Sequence, residues 1–178
     1  MPINFDTYRR VALEDPEGKW ELDCGRLREK PPMTMKHNRT ERRLERMLMQ
    51  QLPEEEWEIG ETRLRISTGT YYVPDLTVLP RFLVDSFPEG EFEVYTEPVP
   101  LVVEIWSPST GEYDVEEKLR EYQLRGDLEI WRIHPYERTL TAWRRQPDGS
   151  YADHVYRSGI VRPASLPDTA IDLDRLFR

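Results

Sequence analysis

Cysteine and histidine are scarce in this chain. Cys24 stands alone, which excludes an intrachain disulfide and any cysteine-based zinc cluster and makes a reducing compartment the natural home. His37, His134 and His154 lie far apart and match no metal-ligand spacing. Long apolar runs are missing as well. No stretch approaches the roughly 18 apolar residues that cross a bilayer, and the opening MPINFDTYRRVALEDPEGKW holds no apolar signal core. We therefore expect a cytoplasmic protein with no membrane partner. Positive charge is also in deficit: 25 Lys and Arg against 34 Asp and Glu leave a net charge of −9, which argues against a protein that coats nucleic acid through a broad basic surface. A local basic groove remains open, with Arg42-Arg43-Arg46 and Arg144-Arg145 as its candidates. Solvated faces with interspersed acids account for the same clusters.

What is present suits one folded unit. The 178 residues, 38% of them hydrophobic and 11% aromatic, suffice for one sizeable core and are too few for two. A single domain over 1–178 is expected, with an N-terminal helix and hairpin in 1–34, a core over about 35–145, and C-terminal strands and tail in 146–178. Phe5, Tyr8, Val11 and Ala12 at helical spacing predict a helix over 4–14 that covers the sheet and stops before Asp15-Pro16. KWELDCGRLREKP reads as a hairpin turning at Cys24-Gly25, and Pro31-Pro32 ends its pairing. From Met35 to Leu52, the positions Leu44, Met47, Leu48 and Leu52 mark an amphipathic helix with an arginine-rich outer face.

Trp57, Ile59, Leu64 and Ile66 then alternate as one or two antiparallel strands, and YYVPDLTVLP adds another, entered through Pro74. Residues 81–100, rich in proline, glycine and acids, read as a surface excursion. A strand at Leu101 to Trp106, a helix from about Val115 to Leu124 ended by Gly126, and a strand at Leu128 to Ile133 form a βαβ unit with parallel strands. Thr139 to Trp143 and Tyr151 to Tyr156 are two more strands around a Pro-Asp-Gly turn, and the alternating tail IDLDRLF packs. The fold class is α/β, with a mixed sheet flanked by helices.

The stretch LVVEIWSPST poses the chemical question. A short apolar run of this kind is a buried strand, yet Glu104 sits inside it. An unpaired buried carboxylate costs several kcal/mol or stays neutral, so a cation or hydrogen-bond donors must face it. Asp75 follows Pro74 at the start of the preceding strand, and Lys118 lies on the next helix. If the two strands are neighbours, the carboxylates of Asp75 and Glu104 converge and the carbonyl of Ile105 joins them. Two carboxylates, a carbonyl and waters suit Mg²⁺ or Mn²⁺. Such an ion activates a water and neutralises phosphate charge in phosphodiester hydrolysis, with Lys118 placed to orient the water or hold the phosphate. Asp114, Lys118 and Tyr122 fall at four-residue steps on one helical stripe.

These residues also resemble a family. PDLTVLP, LVVEIWSPST and DVEEKLREYQLRGDLEIWRIHPYERTLTAWRR are similar to the Uma2 (DUF820) group of restriction-endonuclease-like proteins, within the PD-(D/E)XK nuclease superfamily. WELDCGRL and the His37-containing helix are similar to that group's N-terminal part. The resemblance implies a restriction-endonuclease-like core, a mixed central sheet flanked by helices, and Asp75 and Glu104 as metal carboxylates. Where the superfamily carries a lysine, two residues after Glu104, this chain has Trp106; Lys118 is the implied substitute. Glu21 matches an acidic position of the family and is a further candidate ligand. The activity implied is metal-dependent cleavage of nucleic acid, DNA in the first instance, and analogy of fold adds a homodimer.

Blander readings stand beside these. Glu104 can be satisfied by a lysine or by backbone donors, Asp75 by turn chemistry, and Lys118 by surface pairs with Asp114 or Glu121. His37, at the head of the long helix, is a candidate for contact with substrate or metal and otherwise a cap or surface residue; Tyr122 reads as packing beside the site, and Ser107 and Ser109 as turn and cap residues. Trp106, Trp131 and Trp143 read as packing before base stacking. The competing function is a non-catalytic nucleic-acid-binding or protein-interaction module that keeps the fold; hydrolysis of another phosphate ester is a third.

Overall fold

Local chemistry sets the N-terminal elements. The computed structural model describes residues 2–109, 111–166 and 168–178, with the side chains of all of these except 111–115. Helix α1 (Phe5–Glu14) starts where the Asn4 side chain accepts the Thr7 N–H at 3.0 Å. Strands β1 (Trp20–Asp23) and β2 (Arg26–Glu29) pair antiparallel through Cys24 and Gly25, with φ of 47° and 75°. Positive φ at both central residues is what a two-residue hairpin with twisted strands requires. Helix α2 (Met35–Met49) is capped by Thr34, which accepts the His37 N–H at 3.2 Å. It ends one turn short of the predicted Leu52, which still packs into the core.

Six strands form the large sheet. In chain order these are β3 (Trp57–Gly60), β6 (Leu76–Pro80), β7 (Leu101–Ile105), β8 (Glu129–His134), β9 (Thr139–Arg145) and β10 (Tyr151–Tyr156), lying side by side as β10-β9-β8-β7-β6-β3. Only β7 and β8 pair in parallel, joined by helix α4 (Gly111–Arg125), as the strand-helix-strand pattern predicts. The helix begins earlier than the predicted Val115 and ends before Gly126, whose φ is 88°. Leu101, Val103 and Ile105 of β7 face the core made with α2 and the C-terminal segment, whereas Val102 joins Tyr122 of α4 on the other side. Both faces are covered, which is why β7 reads as a continuous apolar run.

A second sheet, not foreseen from the sequence, has the order β2-β1-β5-β4, with β4 (Leu64–Ser67) and β5 (Thr70–Tyr72) as a second hairpin. It is this small sheet that α1 covers, through Tyr8 stacked on Tyr71. Residues 81–100 also depart from the expected surface excursion. They carry helix α3 (Arg81–Asp85) and bury Tyr95 and Val99, with Tyr95 bridging to Leu64. The tail packs but is not a strand throughout: β12 (Ile171–Asp172), paired with β11 (Ile160–Val161), turns into helix α5 (Leu173–Leu176). Asp172 causes the switch by accepting the N–H groups of Asp174 and Arg175. Among the described residues no helix is long and apolar enough to cross a membrane.

The C-terminal segment is tied to the sheet by a buried acid. Glu129 on β8 accepts from Trp131 Nε1 at 2.7 Å, Arg144 Nε at 3.2 Å, and the N–H groups of Ala164 and Ser165 at 2.6 and 3.2 Å. Replacing it leaves four donors without their acceptor. Glu129→Ala should lower unfolding free energy by about 3 kcal/mol in urea titrations. A loss within 0.5 kcal/mol of zero, the usual range for an exposed surface change, would show that the anchor contributes nothing.

Candidate functional site

Register brings the two acids together. β6 and β7 pair with Leu76 opposite Val103, Thr77 opposite Val102 and Val78 opposite Leu101. Asp75 directly precedes β6 and Glu104 directly follows Val103, so the two lie side by side just beyond the last of these pairs, where the Ile105 N–H donates to the side-chain Oδ2 of Asp75 at 2.7 Å. Like charges facing each other across strands repel. Both side chains are also buried, so cations must intervene.

Two lysines from separate elements supply them. Lys30, just past β2, donates to Asp75 Oδ1 at 2.8 Å and to the Val73 carbonyl at 2.9 Å. Lys118 on α4 donates to Glu21 Oε1 at 2.9 Å and lies 3.5 Å from Glu104 Oε1. Its Nζ also sits 5.2 Å from the centre of the Tyr72 ring. Glu21 accepts the Val73 N–H at 2.8 Å, so Val73, Pro74 and Asp75 cross from the small sheet to the large one clamped on both sides. Pro74 has no N–H and leaves no orphan donor in that crossing.

His37 and Tyr122 complete the cluster, and both depart from the blander reading. His37 is buried rather than a surface cap, with Nε2 3.0 Å from Asp75 Oδ2 and Nδ1 3.5 Å from Glu41 Oε2. Tyr122 does more than pack, because its hydroxyl donates to Glu104 Oε1 at 2.7 Å. Asp75, Glu104, Lys118, Glu21, His37 and Tyr122 are thus gathered at one place, with the Ile105 backbone beside them. The side chain of Asp114 lies outside the described residues. Trp106 stacks on His134, ring centres 4.2 Å apart, with Tyr136 edge-on to it. Ser107 and Ser109 are hydrogen-bonded to each other at 2.9 Å.

Lys30 is the member that sequence reasoning missed. In REKPP it looks like any solvated lysine. A signal existed: the hairpin pairs Glu21 with Arg28, and its ladder runs on through the Lys30 N–H to the Lys19 carbonyl at 2.9 Å. With side chains alternating along a strand, Lys30 shares the face of Glu21.

The charges titrate as a set. Burial acts to raise the Asp75 pKa, but the Lys30 charge and the His37 hydrogen bond outweigh it and hold the carboxyl well below its ordinary range. Burial acts against the Lys30 ammonium, yet Asp75, Glu104 and Glu21 keep it charged and its pKa raised. Burial likewise works to lower His37, and Asp75 overrides it, so the pKa is raised from 6.5. Glu104 goes the other way: burial raises it, and Lys118 and Lys30 only partly offset that while Asp75 and Glu21 add to it.

Among the described residues no group of three or more His, Cys, Asp and Glu side chains is arranged to hold a metal ion. Asp75 and Glu104 instead offer two carboxylates, oxygen donors of the kind that suit Mg²⁺ or Mn²⁺ when water completes the shell. Glu104 favours that fit, since a carboxylate crowded by burial and two other acids gains from added positive charge, and it keeps 8% of its surface open.

The sequence of residues 5–174 matches the family model of Uma2, described as "putative restriction endonuclease". The chain belongs to the Uma2 family. The fold is similar to the crystal structure of a protein from Anabaena variabilis described as a "putative nuclease belonging to DUF820", with a TM-score of 0.74 over 89% of each chain at 20% identity. No curated protein matches the chain. Within this Uma2 chain, then, the mixed sheet flanked by helices is that of a nuclease-like fold, and the charge cluster sits at the ends of its central strands.

Removing one member of the buried set exposes its partner to an uncompensated charge. Lys30→Met should cost about 3–5 kcal/mol in urea unfolding, with Asp75→Asn added in the same chain restoring part of it. No recovery in the double variant would show that Lys30 acts on something other than Asp75. For His37, a raised folded pKa means its stabilisation is complete below 6.5 and fades as pH rises through the folded value. Unfolding free energies measured from pH 6 to 9 should therefore converge between wild type and His37→Gln as pH increases. A gap independent of pH would rule out the protonated histidine.

Proposed function

We propose that this chain is a Mg²⁺- or Mn²⁺-dependent endonuclease that hydrolyses phosphodiester bonds of nucleic acid, DNA in the first instance. The observation that carries the reading is the cross-strand placement of Asp75 and Glu104, each braced by a buried lysine. Asp75, Glu104 and the Ile105 carbonyl would hold the ion, which when bound supplies activation of water and neutralisation of charge on the phosphate.

The chain's own residues divide the remaining work. Lys30 and His37 keep Asp75 ionised and fixed in direction. Tyr122 fixes Glu104 through its hydroxyl. Lys118, anchored by Glu21, brings an ammonium to within 3.5 Å of Glu104 and is the group assigned to hold the scissile phosphate or orient the water. It takes the place of the lysine that the superfamily carries where Trp106 stands. Cutting both strands calls for two such sites, so a homodimer belongs to the reading, on analogy of fold.

The alternative is a nucleic-acid-binding or protein-interaction module without turnover. What favours it is Trp106, whose ring is committed to a stack with His134 at the superfamily's lysine position.

Plasmid cleavage separates the two. With Mg²⁺ or Mn²⁺ the wild type should nick or linearise supercoiled DNA, EDTA should abolish it, and Asp75→Ala, Glu104→Ala and Lys118→Ala should each slow it about 10²-fold or more. Activity that survives all three substitutions overturns the site; an inert wild type with intact nucleic-acid binding moves the module ahead.

A further inference from the structure

The buried cluster uses only the inner face of α2. Its outer face carries Lys36, Arg39, Arg42 and Arg46, all exposed on a chain whose net charge is −9. The sequence left two readings for these arginines, a basic groove or a solvated face balanced by interspersed acids. Geometry decides against the balance. Glu41 turns inward toward His37 Nδ1, and Glu45 is half-buried. Among the described residues none of Lys36, Arg39, Arg42 and Arg46 forms an ion pair. Arg42 gives one N–H to the Asn38 carbonyl at 3.3 Å, and Arg43 is committed to the carbonyls of Leu176 and Arg178.

The ridge leads to the site. Lys36 is the neighbour of His37 in the first turn of α2, and its Nζ lies 4.6 Å from the centre of the Tyr136 ring. Tyr136, 45% exposed, is edge-on to Trp106, two residues beyond Glu104. On the other flank, Arg39, Lys36 and Arg178 line an open cavity of about 370 Å³ between α2 and the C-terminal helix. Lys36 to Arg46 spans about 15 Å of helix, comparable to the axial rise of about four phosphates of one DNA strand.

We propose that this face of α2 is a phosphate-backbone track for nucleic acid, with Lys36, Arg39, Arg42 and Arg46 each placed to meet a phosphate and direct the strand past Tyr136 and Trp106 toward Glu104. That direction rests on the nuclease reading; the track itself does not. Charge complementarity favours a nucleic-acid backbone, because cations spaced along a helix match a polyanion of regular spacing. Such contacts position the strand and carry no sequence preference.

Fluorescence anisotropy with a short labelled DNA duplex, in EDTA so that no cleavage occurs, tests the track. Arg39→Glu/Arg42→Glu should weaken binding about tenfold or more at low salt. Arg9→Glu/Arg10→Glu, the same charge change on exposed positions of α1, should leave it nearly unchanged. Neutral Arg39→Gln/Arg42→Gln should reduce the slope of log affinity against log salt by about 1.8, two released counterions. Equal weakening by both Glu pairs would reduce the effect to net charge and overturn the track. So would unchanged binding in the ridge variant, which would leave an acidic protein as the surface's partner, or a wild type that binds no duplex at low salt. Failure of the nuclease reading looks different: ridge-dependent binding with no cleavage under any metal keeps the track and removes the enzyme.

Discussion

Two carboxylates placed opposite each other across adjacent buried strands are the constraint on which the rest depends. The pairing of β6 with β7 makes Asp75 and Glu104 neighbours, and in a low-dielectric setting their repulsion must be met by cations or by protonation. The fold meets it with Lys30 from beyond β2 and Lys118 from α4. Neither lysine is near the strands in sequence. Each reaches the acids only because a separate layer packs there, so the charge set and the tertiary structure specify one another.

The small sheet is best understood through this demand. It brings Glu21 and Lys30, on the same face of one hairpin, to the crossing Val73-Pro74-Asp75, where both backbone groups of Val73 are used: its N–H by Glu21, its carbonyl by Lys30. A crossing between two sheets ordinarily sheds ladder hydrogen bonds. Here side chains replace them, and the same side chains neutralise the site. Structural and chemical roles are therefore not separable at Lys30, since the ammonium that holds Asp75 ionised also holds the two sheets together.

The acids are not equivalent. Asp75, with Lys30, His37 and the Ile105 N–H around it, is stabilised as an anion, whereas Glu104 is less fully compensated and its ionisation is resisted. Helix α2 has two characters, an inner face that contributes His37 to the set and an outer face whose Arg39, Arg42 and Arg46 form no ion pair among the described residues.

By itself the sequence determined the elements whose chemistry is local. The hairpin at Cys24-Gly25, the α2 stripe of Leu44, Met47 and Leu48, the parallel β7-α4-β8 unit and the stop at Gly126 all follow from periodicity, turn residues and caps, because those forces act within a few residues. The oddity of Glu104 and the four-residue stripe of Lys118 and Tyr122 were legible for the same reason. Only the tertiary structure decided which cations answer the acids. Lys30 and Glu21 reach the site through sheet order and strand register, His37 through the packing of α2, and Tyr122 through the packing of α4. The tail likewise became a helix because Asp172 found N–H groups to cap. Long-range pairing carries no signature within the segments it joins: a lysine bound for a buried carboxylate is written no differently from one bound for water.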